Sequence, residues 1–368
     1  LRSRLSYQES ARAPNFGELF TSSTSFPQIF DPCSVSSAAR QGANGAALSA
    51  LCVATGVPAG QIATFAATPG SQAQIVTSGN PNLNPETGQT LTFGFVFQSP
   101  SENRWLERLR GSIDYYNIKV EDAIISANVN VGIASCYNYY GTNPTYSVAA
   151  NAFCQGLVRN GGAIQNINRV GVLPGVAANE FPGLNGGEID TSGIDVQIDY
   201  SFDLEWLGLP ADLGTVRAGL LMNFLLGYEQ RDGVGLPMLD YTGTISFFGA
   251  GLGTSFPERK ATVNVGWDVG DLSLDVRGRY IDAMSNRASV LYPGETNFGA
   301  GRSDVPSYWY IDVAGTWNVN DTVQLRVGVN NIANELPPVY APNVQSGTDP
   351  STYDVIGRRG FAQLRLRF

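Results

Sequence analysis

Apolar and polar side chains alternate along most of this chain. At its end, Ala362, Leu364, Leu366 and Phe368 fall on one face, while Phe361, Gln363, Arg365 and Arg367 fall on the other. Successive strand residues point to opposite sides, so a period of two predicts a strand with one apolar and one mostly polar face. Val323, Leu325, Val327 and Val329 oppose Gln324, Arg326 and Asn330 in the same way. So do Leu272, Leu274, Val276 and Tyr280 against Ser273, Asp275, Arg277 and Arg279, and Ile194, Val196, Ile198, Tyr200 and Phe202 against Asp195, Gln197, Asp199 and Ser201. Segment 216–228 is less clean, because Leu221 and Leu225 share a face with Arg217 and Asn223. Ten strands are predicted, near 1–9, 88–98, 109–125, 188–203, 213–230, 258–269, 271–283, 306–319, 321–333 and 357–368. In 109–125 the phase slips near Asp114 to Tyr116, which predicts a bulge there. Residues 34–54 and 146–158 are expected to form short helices inside loops.

The connections carry a rhythm. VGDL (269–272), NVND (318–321), 99–108 and 203–213 are short, whereas 10–87, 126–187, 231–257, 284–305 and 334–356 are long, and the two kinds alternate. A soluble sandwich has no reason to gather its long loops at one end, but an outer-membrane barrel does. The predicted strands also match the roughly 9–11 residues that cross a bilayer at a tilt. An all-β, antiparallel, up-and-down transmembrane barrel is therefore expected, with the apolar face toward lipid and the polar face toward a wet lumen. A large soluble all-β domain is the alternative, since alternation alone fits both. Trp105, Trp206, Trp267, Trp309 and Trp317 stand near strand ends, where an interfacial belt would place them.

Composition narrows the choice. Charged residues make up 15% of the 368, low against the roughly 25% of ordinary soluble domains. The net charge of −9 argues against nucleic acid as a partner. There is no His, which excludes Ser-His-Asp and Cys-His catalysis and His-ligated metal in this chain. Cys33 and Cys52 share loop 10–87, and Cys136 and Cys154 share loop 126–187. Four cysteines allow three pairings. Local pairing is the economical one and stabilises by about 3 kcal/mol per bond in an oxidising compartment. A four-thiolate metal site ranks lower, because the short steps of zinc sites are missing. Gly-rich 249–253 lacks the features of a phosphate loop, and 232–240 and 349–354 lack calcium-loop spacing. The chain starts in what reads as the middle of a folded element, and no window offers the roughly 20 apolar residues of a spanning helix. A C-terminal piece of a longer protein is expected, with its natural end at Phe368.

Several strings then resemble one family together. QESARAPNFGELF (8–20), GNPNLNPETGQTLTFGFVF (79–97), IDYYNIKVEDAI (113–124), SGIDVQIDYSF (192–202), VGVNNIANELPPVY (327–340) and the terminal RLRF resemble, in order, motifs of the TonB-dependent outer-membrane receptors. That resemblance implies a barrel of about 22 strands closed by a plug, of which this chain would be roughly the last ten, without the plug and the TonB box. It implies uptake of a scarce solute of the siderophore-iron, haem, cobalamin or oligosaccharide type, driven by TonB, in the outer membrane of a Gram-negative bacterium. It calls for no catalytic residue and no cofactor. The partners it implies are outer-membrane lipid, the plug, TonB, the solute and the barrel-assembly machinery, which reads an aromatic terminus such as Phe368. A small passive or adhesive barrel is the runner-up, with a secreted soluble domain behind it.

Candidate ligand contacts lie in loop 126–187, where Tyr137, Tyr139, Tyr140 and Tyr146 cluster with Asn138 and Asn143. Tyr and Asn offer flat apolar faces and adaptable hydrogen bonds, suited to sugars and aromatic chelates, although packing of the loop explains them equally well. Candidate lumen residues are Asp195, Asp199, Asp275, Arg277, Arg279, Asp312, Arg326, Arg365 and Arg367. Charges of both signs on adjoining strands also simply pair. Pro14, Asn15, Asn80, Pro81, Asn82, Pro85 and Glu86 are expected to shape the rim by turn chemistry.

Overall fold

The computed structural model describes residues 1–68, 71–125, 128–167, 180–233, 235–246, 255–296, 304–340 and 347–367. Ten long strands dominate it: β1 (Arg2–Arg12), β2 (Glu86–Gln98), β3 (Arg110–Ile125), β4 (Leu184–Asp203), β5 (Thr215–Arg231), β6 (Arg259–Val269), β7 (Leu272–Ile281), β8 (Tyr308–Asn318), β9 (Val323–Asn330) and β10 (Arg359–Leu366). Each pairs with its neighbour in the chain, antiparallel throughout, so the sheet runs in sequence order from β1 to β10. Among the described residues no pairing joins β1 to β10, and the sheet has two free edges.

The register carries the alternation across the whole sheet. One row runs Arg4, Gly94, Asp114, Asp195, Asn223, Lys260 across β1 to β6. Another runs Asn264, Arg277, Asp312 across β6 to β8. Leu5, Phe93, Phe95, Ile113, Val265, Leu274, Val276, Ile311, Val327 and Leu364 hold the opposite face, and all are exposed. A soluble sheet buries its apolar face against a second layer. Here that face is bare on eight of the ten strands, far more than the apolar patch of a soluble monomer. The bilayer reading explains it.

The predicted bulge lies elsewhere. Pairing is regular through Asp114 and Tyr116, and the register shifts instead between Val120 and Ile124, where Asp122 has φ 53. The slip in pattern is real but involves no bulge: Tyr116 and Ile118 share the side of Asp114, the Tyr116 hydroxyl 3.3 Å from the Asn223 amide, while Asn117 and Lys119 stand on the other. β5 carries a second bulge between Leu225 and Gly227.

Short turns close one end of the sheet, the tightest being Gly270–Asp271, with Gly270 at φ 53. Long connections fill the other end and contain α1 (Phe16–Phe20), α2 (Ala38–Gln41), α3 (Gly45–Ala54), α4 (Val129–Cys136), α5 (Ala152–Gly156) and α6 (Ala288–Leu291). The helices expected in 34–54 and 146–158 are present, and α1, α4 and α6 are additions to them. The buried core also sits here rather than in the sheet. Loops 10–87, 126–187, 231–257 and 284–305 contribute Leu51, Ile133, Leu239 and Leu291 among others to one cluster. Four of the five Trp stand at the short-turn end of the strands; Trp105 and Trp206, on adjacent turns, meet edge to face at 5.7 Å. No described helix is long and apolar enough to cross a membrane.

Candidate functional site

The polar face is concave. Arg4 on the first strand and Tyr310 on the eighth line the same cavity of about 570 Å³. Flat, strands β1 and β8 would stand roughly 34 Å apart at the usual spacing, so the sheet curls toward its polar side. The cavity also receives Asp114, Asp195, Asn223, Lys260 and Arg279 from the wall, and Ser351 and Thr352 from the last long loop. Arg4 Nε lies 2.7 Å from Asp114 Oδ1, reaching over β2 at Gly94. A Cβ on Gly94 would stand 1.8 Å from that carboxylate oxygen, so only glycine lets the pair form. Asn223 donates to Asp195 at 2.8 Å. Arg279 pairs with Asp312 at 3.3 Å and lies over the Tyr310 ring at 5.0 Å.

Of the predicted lumen set, Asp195, Asp199, Asp275, Arg277, Arg279, Asp312, Arg326 and Arg365 share this polar face. Arg367 follows just past β10 and lines a separate cavity at the short-turn end. Much of the charge is spent within the wall: Asp275 faces Arg217 at 3.4 Å, Asp199 accepts from Gln197 at 2.8 Å, and Asp312 also takes the Asn331 N–H at 2.8 Å. Phe368 lies outside the described residues.

Above the wall the loops form a cap. The cysteines pair locally, Cys33–Cys52 and Cys136–Cys154, with Cα atoms 5.7 and 4.9 Å apart. Arg159 and Asp31 form an ion pair at 2.6 Å, with side-chain exposures of 0% and 3%, and Arg159 also donates to the Tyr137 hydroxyl at 2.8 Å. The Glu295 carboxylate is buried and accepts from Ser37 Oγ (2.6 Å), the N–H groups of Ala38 (2.8 Å) and Ala39 (3.0 Å), and Tyr139 OH (2.6 Å). One side chain of loop 284–305 thereby joins loops 10–87 and 126–187. Burial, and then the Glu295 charge, hold the Tyr139 phenol above its ordinary range.

The predicted ligand-contact cluster turns inward. Tyr137 is 1% exposed and Asn143 0%. Asn143 donates to the Cys136 carbonyl, and the Asn143 N–H donates to Asn138 Oδ1 at 2.9 Å. Tyr140 OH donates to the Leu291 carbonyl at 2.7 Å. Tyr139, Tyr140 and Tyr146 are partly buried against the cap core. These six residues build the cap, and most of their polar atoms are already used. Sequence reasoning missed Arg159, Asp31 and Glu295, single charged residues in loops with no periodic signal. Lys260, Arg4 and Asp114 could have been found by extending the face assignment to every strand.

At the rim, Arg12 binds Glu86 through Nε at 2.6 Å and Glu18 at 3.0 Å. Asn15 and Glu18 complete a reciprocal capping box on α1. The two resembling strings around residues 12 and 86 thus meet as one joint, which agrees with rim shaping.

No curated protein sequence matches the chain. Among solved structures, the siderophore receptor PirA of Acinetobacter baumannii is similar over 100% of this chain and 39% of its own, at 14% identity and TM-score 0.52. A mutant of the ferric enterobactin receptor PfeA of Pseudomonas aeruginosa, in complex with enterobactin, is similar over 100% and 38%, at 12% identity and TM-score 0.53. The chain thus spans about two fifths of the length of these receptors. At such identities the likeness is one of fold. The sequence model of the TonB-dependent receptor-like β-barrel family matches residues 1–332. Its strands, its register and that match together place the chain in the TonB-dependent receptor β-barrel family.

Proposed function

We propose that this chain is the C-terminal part of an outer-membrane receptor barrel that takes up a scarce solute with energy supplied through TonB. The observation that carries the reading is the concave polar wall with its 570 Å³ cavity beneath a loop cap. A cavity on that side of an otherwise lipid-bounded sheet is a passage for something polar. The solute is of the siderophore-iron, cobalamin or oligosaccharide type, and the work is binding and transfer rather than catalysis. The partners are outer-membrane lipid on the apolar face, a plug domain in the lumen, TonB, and the barrel-assembly machinery at the C-terminus.

The free edges of β1 and β10 support a larger barrel, because each unpaired backbone group facing lipid costs several kcal/mol. Coding sequence on the amino-terminal side of Leu1 that specifies further alternating strands and a plug is the expected finding. The functional test is uptake by cells carrying the gene, with and without TonB. Solute accumulation that requires TonB is expected. Equal, unselective leakage in both strains would replace this reading with a passive pore.

A further inference from the structure

Turn 99–109, between β2 and β3, and turn 204–214, between β4 and β5, stand side by side at the short-turn end. Turn 99–109 folds over the apolar face of the sheet, away from the lumen. The Tyr200 hydroxyl donates to the Trp105 carbonyl at 2.9 Å, and the Trp105 ring lies 6.4 Å from that of Phe202. Tyr200 and Phe202 alternate with Asp199 and Ser201 along β4, so they point to the lipid side. Trp105 in turn meets Trp206 edge to face. Arg104 lies over the Trp105 ring at 5.6 Å and reaches the Trp206 carbonyl at 3.4 Å, while Arg108 lies over the Trp206 ring at 4.8 Å. Leu106, Leu207 and Leu209 on the same two turns are exposed.

The two guanidiniums differ in what holds them. Asp203 accepts from both terminal nitrogens of Arg108, at 3.0 and 2.8 Å. Arg104 is exposed and has no ion pair among the described residues. A cation resting on a tryptophan at the edge of an apolar face stands where lipid headgroups begin, and a phosphodiester is the acceptor found at that depth. Charge then narrows the headgroup. Glu102, Glu205 and Asp212 on the same turns are also exposed. A purely anionic headgroup would meet more carboxylates than free guanidiniums. One that joins a phosphate to a primary amine satisfies both signs. A quaternary amine has no N–H to give a carboxylate. Aromatic faces can hold such a group, but here Arg104 and Arg108 already lie over the two tryptophans.

We propose that Arg104 and Trp105, with Glu102 and Glu205, form a headgroup site on the outer rim of the wall for an aminophospholipid of the bilayer. The Arg104 fork takes the phosphate, two N–H bonds at a time. The carboxylates take the ammonium, and the exposed leucines meet the first segments of the acyl chains. The inference rests on the apolar face meeting lipid. It is independent of what the barrel carries and of whether TonB drives it.

The test is native mass spectrometry of the full chain released from neutral-detergent micelles that hold equal amounts of phosphatidylethanolamine, phosphatidylglycerol and phosphatidylcholine. Retention of phosphatidylethanolamine several-fold above the other two is expected. R104Q should lower that preference about tenfold, the worth of one charge-assisted hydrogen bond, and R104K should keep more of it. E102Q/E205Q should shift the preference toward phosphatidylglycerol, which a merely structural role for these residues would not do. R358Q is the control, because Arg358 is exposed beside the long loops, and it should retain lipid as the parent does. Excess glycerophosphoethanolamine, the headgroup without its tails, should displace nothing. The proposal is overturned if the parent retains the three lipids equally or prefers phosphatidylglycerol, or if R104Q and E102Q/E205Q both behave as R358Q. Displacement by the tail-less headgroup would also overturn it, by showing a site for free phosphate esters rather than for lipid.

Discussion

Arg159 and Asp31 bring two full charges into the cap with almost no exposure. Removing one partner of such a pair strands the other in a low-dielectric site, which costs about 3–5 kcal/mol, while replacing both with apolar residues is often near neutral. Arg159→Met should therefore expose the cap to protease and speed hydrogen exchange in loops 10–87 and 126–187. The double change Arg159→Met with Asp31→Leu should recover most of the protection. A double variant as labile as the single would show that the charge pair itself, rather than its burial, holds the cap. Asp232 allows a second test. Burial raises its pKa, against the opposing pull of hydrogen bonds from Gln230, Asn128 and Tyr241 and the charge of Arg287. A carboxyl raised on folding stabilises below its unfolded pKa and loses that contribution as pH rises through the folded value. Exchange protection around 228–245 should thus be greater in mild acid than at neutral pH, and D232N should flatten the dependence. None of these loop charges was legible beforehand. A buried ion pair depends on contacts between segments more than a hundred residues apart, and no local period encodes that.

Elements were far easier to read than loop interiors. The alternation marks all ten strands because each meets two different solvents, one on each face. Where the reading erred, at Asp114 to Tyr116, the apolar residues change sides along a regularly paired strand, and that change of side was taken for a bulge. The true bulge at Asp122 left no such mark. Gly94 shows how closely an element depends on its neighbours. G94A would push a methyl into the Asp114 carboxylate and break its bond to Arg4, for a loss on the order of 1–3 kcal/mol. Unfolding of the wall in denaturant should move to lower concentration in G94A, and a further R4A change should add little, since the bridge is already gone. Full additivity of the two would mean that Arg4 and Asp114 act independently. The tyrosine-rich stretch 137–146 was legible as a cluster but not as to its direction. Its residues turn inward because Glu295 and the Leu291 carbonyl, in another loop, offer partners for their hydroxyls.

The whole molecule is a curved wall with a compact cap, and its stability is distributed accordingly. The wall has bare apolar and wet polar faces, whereas the cap has a core of its own and two disulfides. Reduction should therefore loosen the cap without dissolving the sheet, by about 3 kcal/mol per bond. Proteolysis under reducing conditions should cut within 10–87 and 126–187 first and spare β6 to β10. Cleavage of the strands at the same rate would refute this division of labour. The overall architecture was readable from loop rhythm because the two ends of the wall face different tasks. The curl of the sheet was not, since it emerges only from residues on distant strands lining one space.

The cysteine pairs have a consequence for timing. Each joins positions only 19 or 18 residues apart, and neither bond links one loop to another. Both rings can therefore close while the chain is still waiting for its strands to pair, as soon as each loop meets an oxidant. The cap's own helices α3, α4 and α5 carry three of the four cysteines, so closing the rings selects the local folds that later interlock. Because each ring is local, oxidation can fix the fold of one loop without reference to the other.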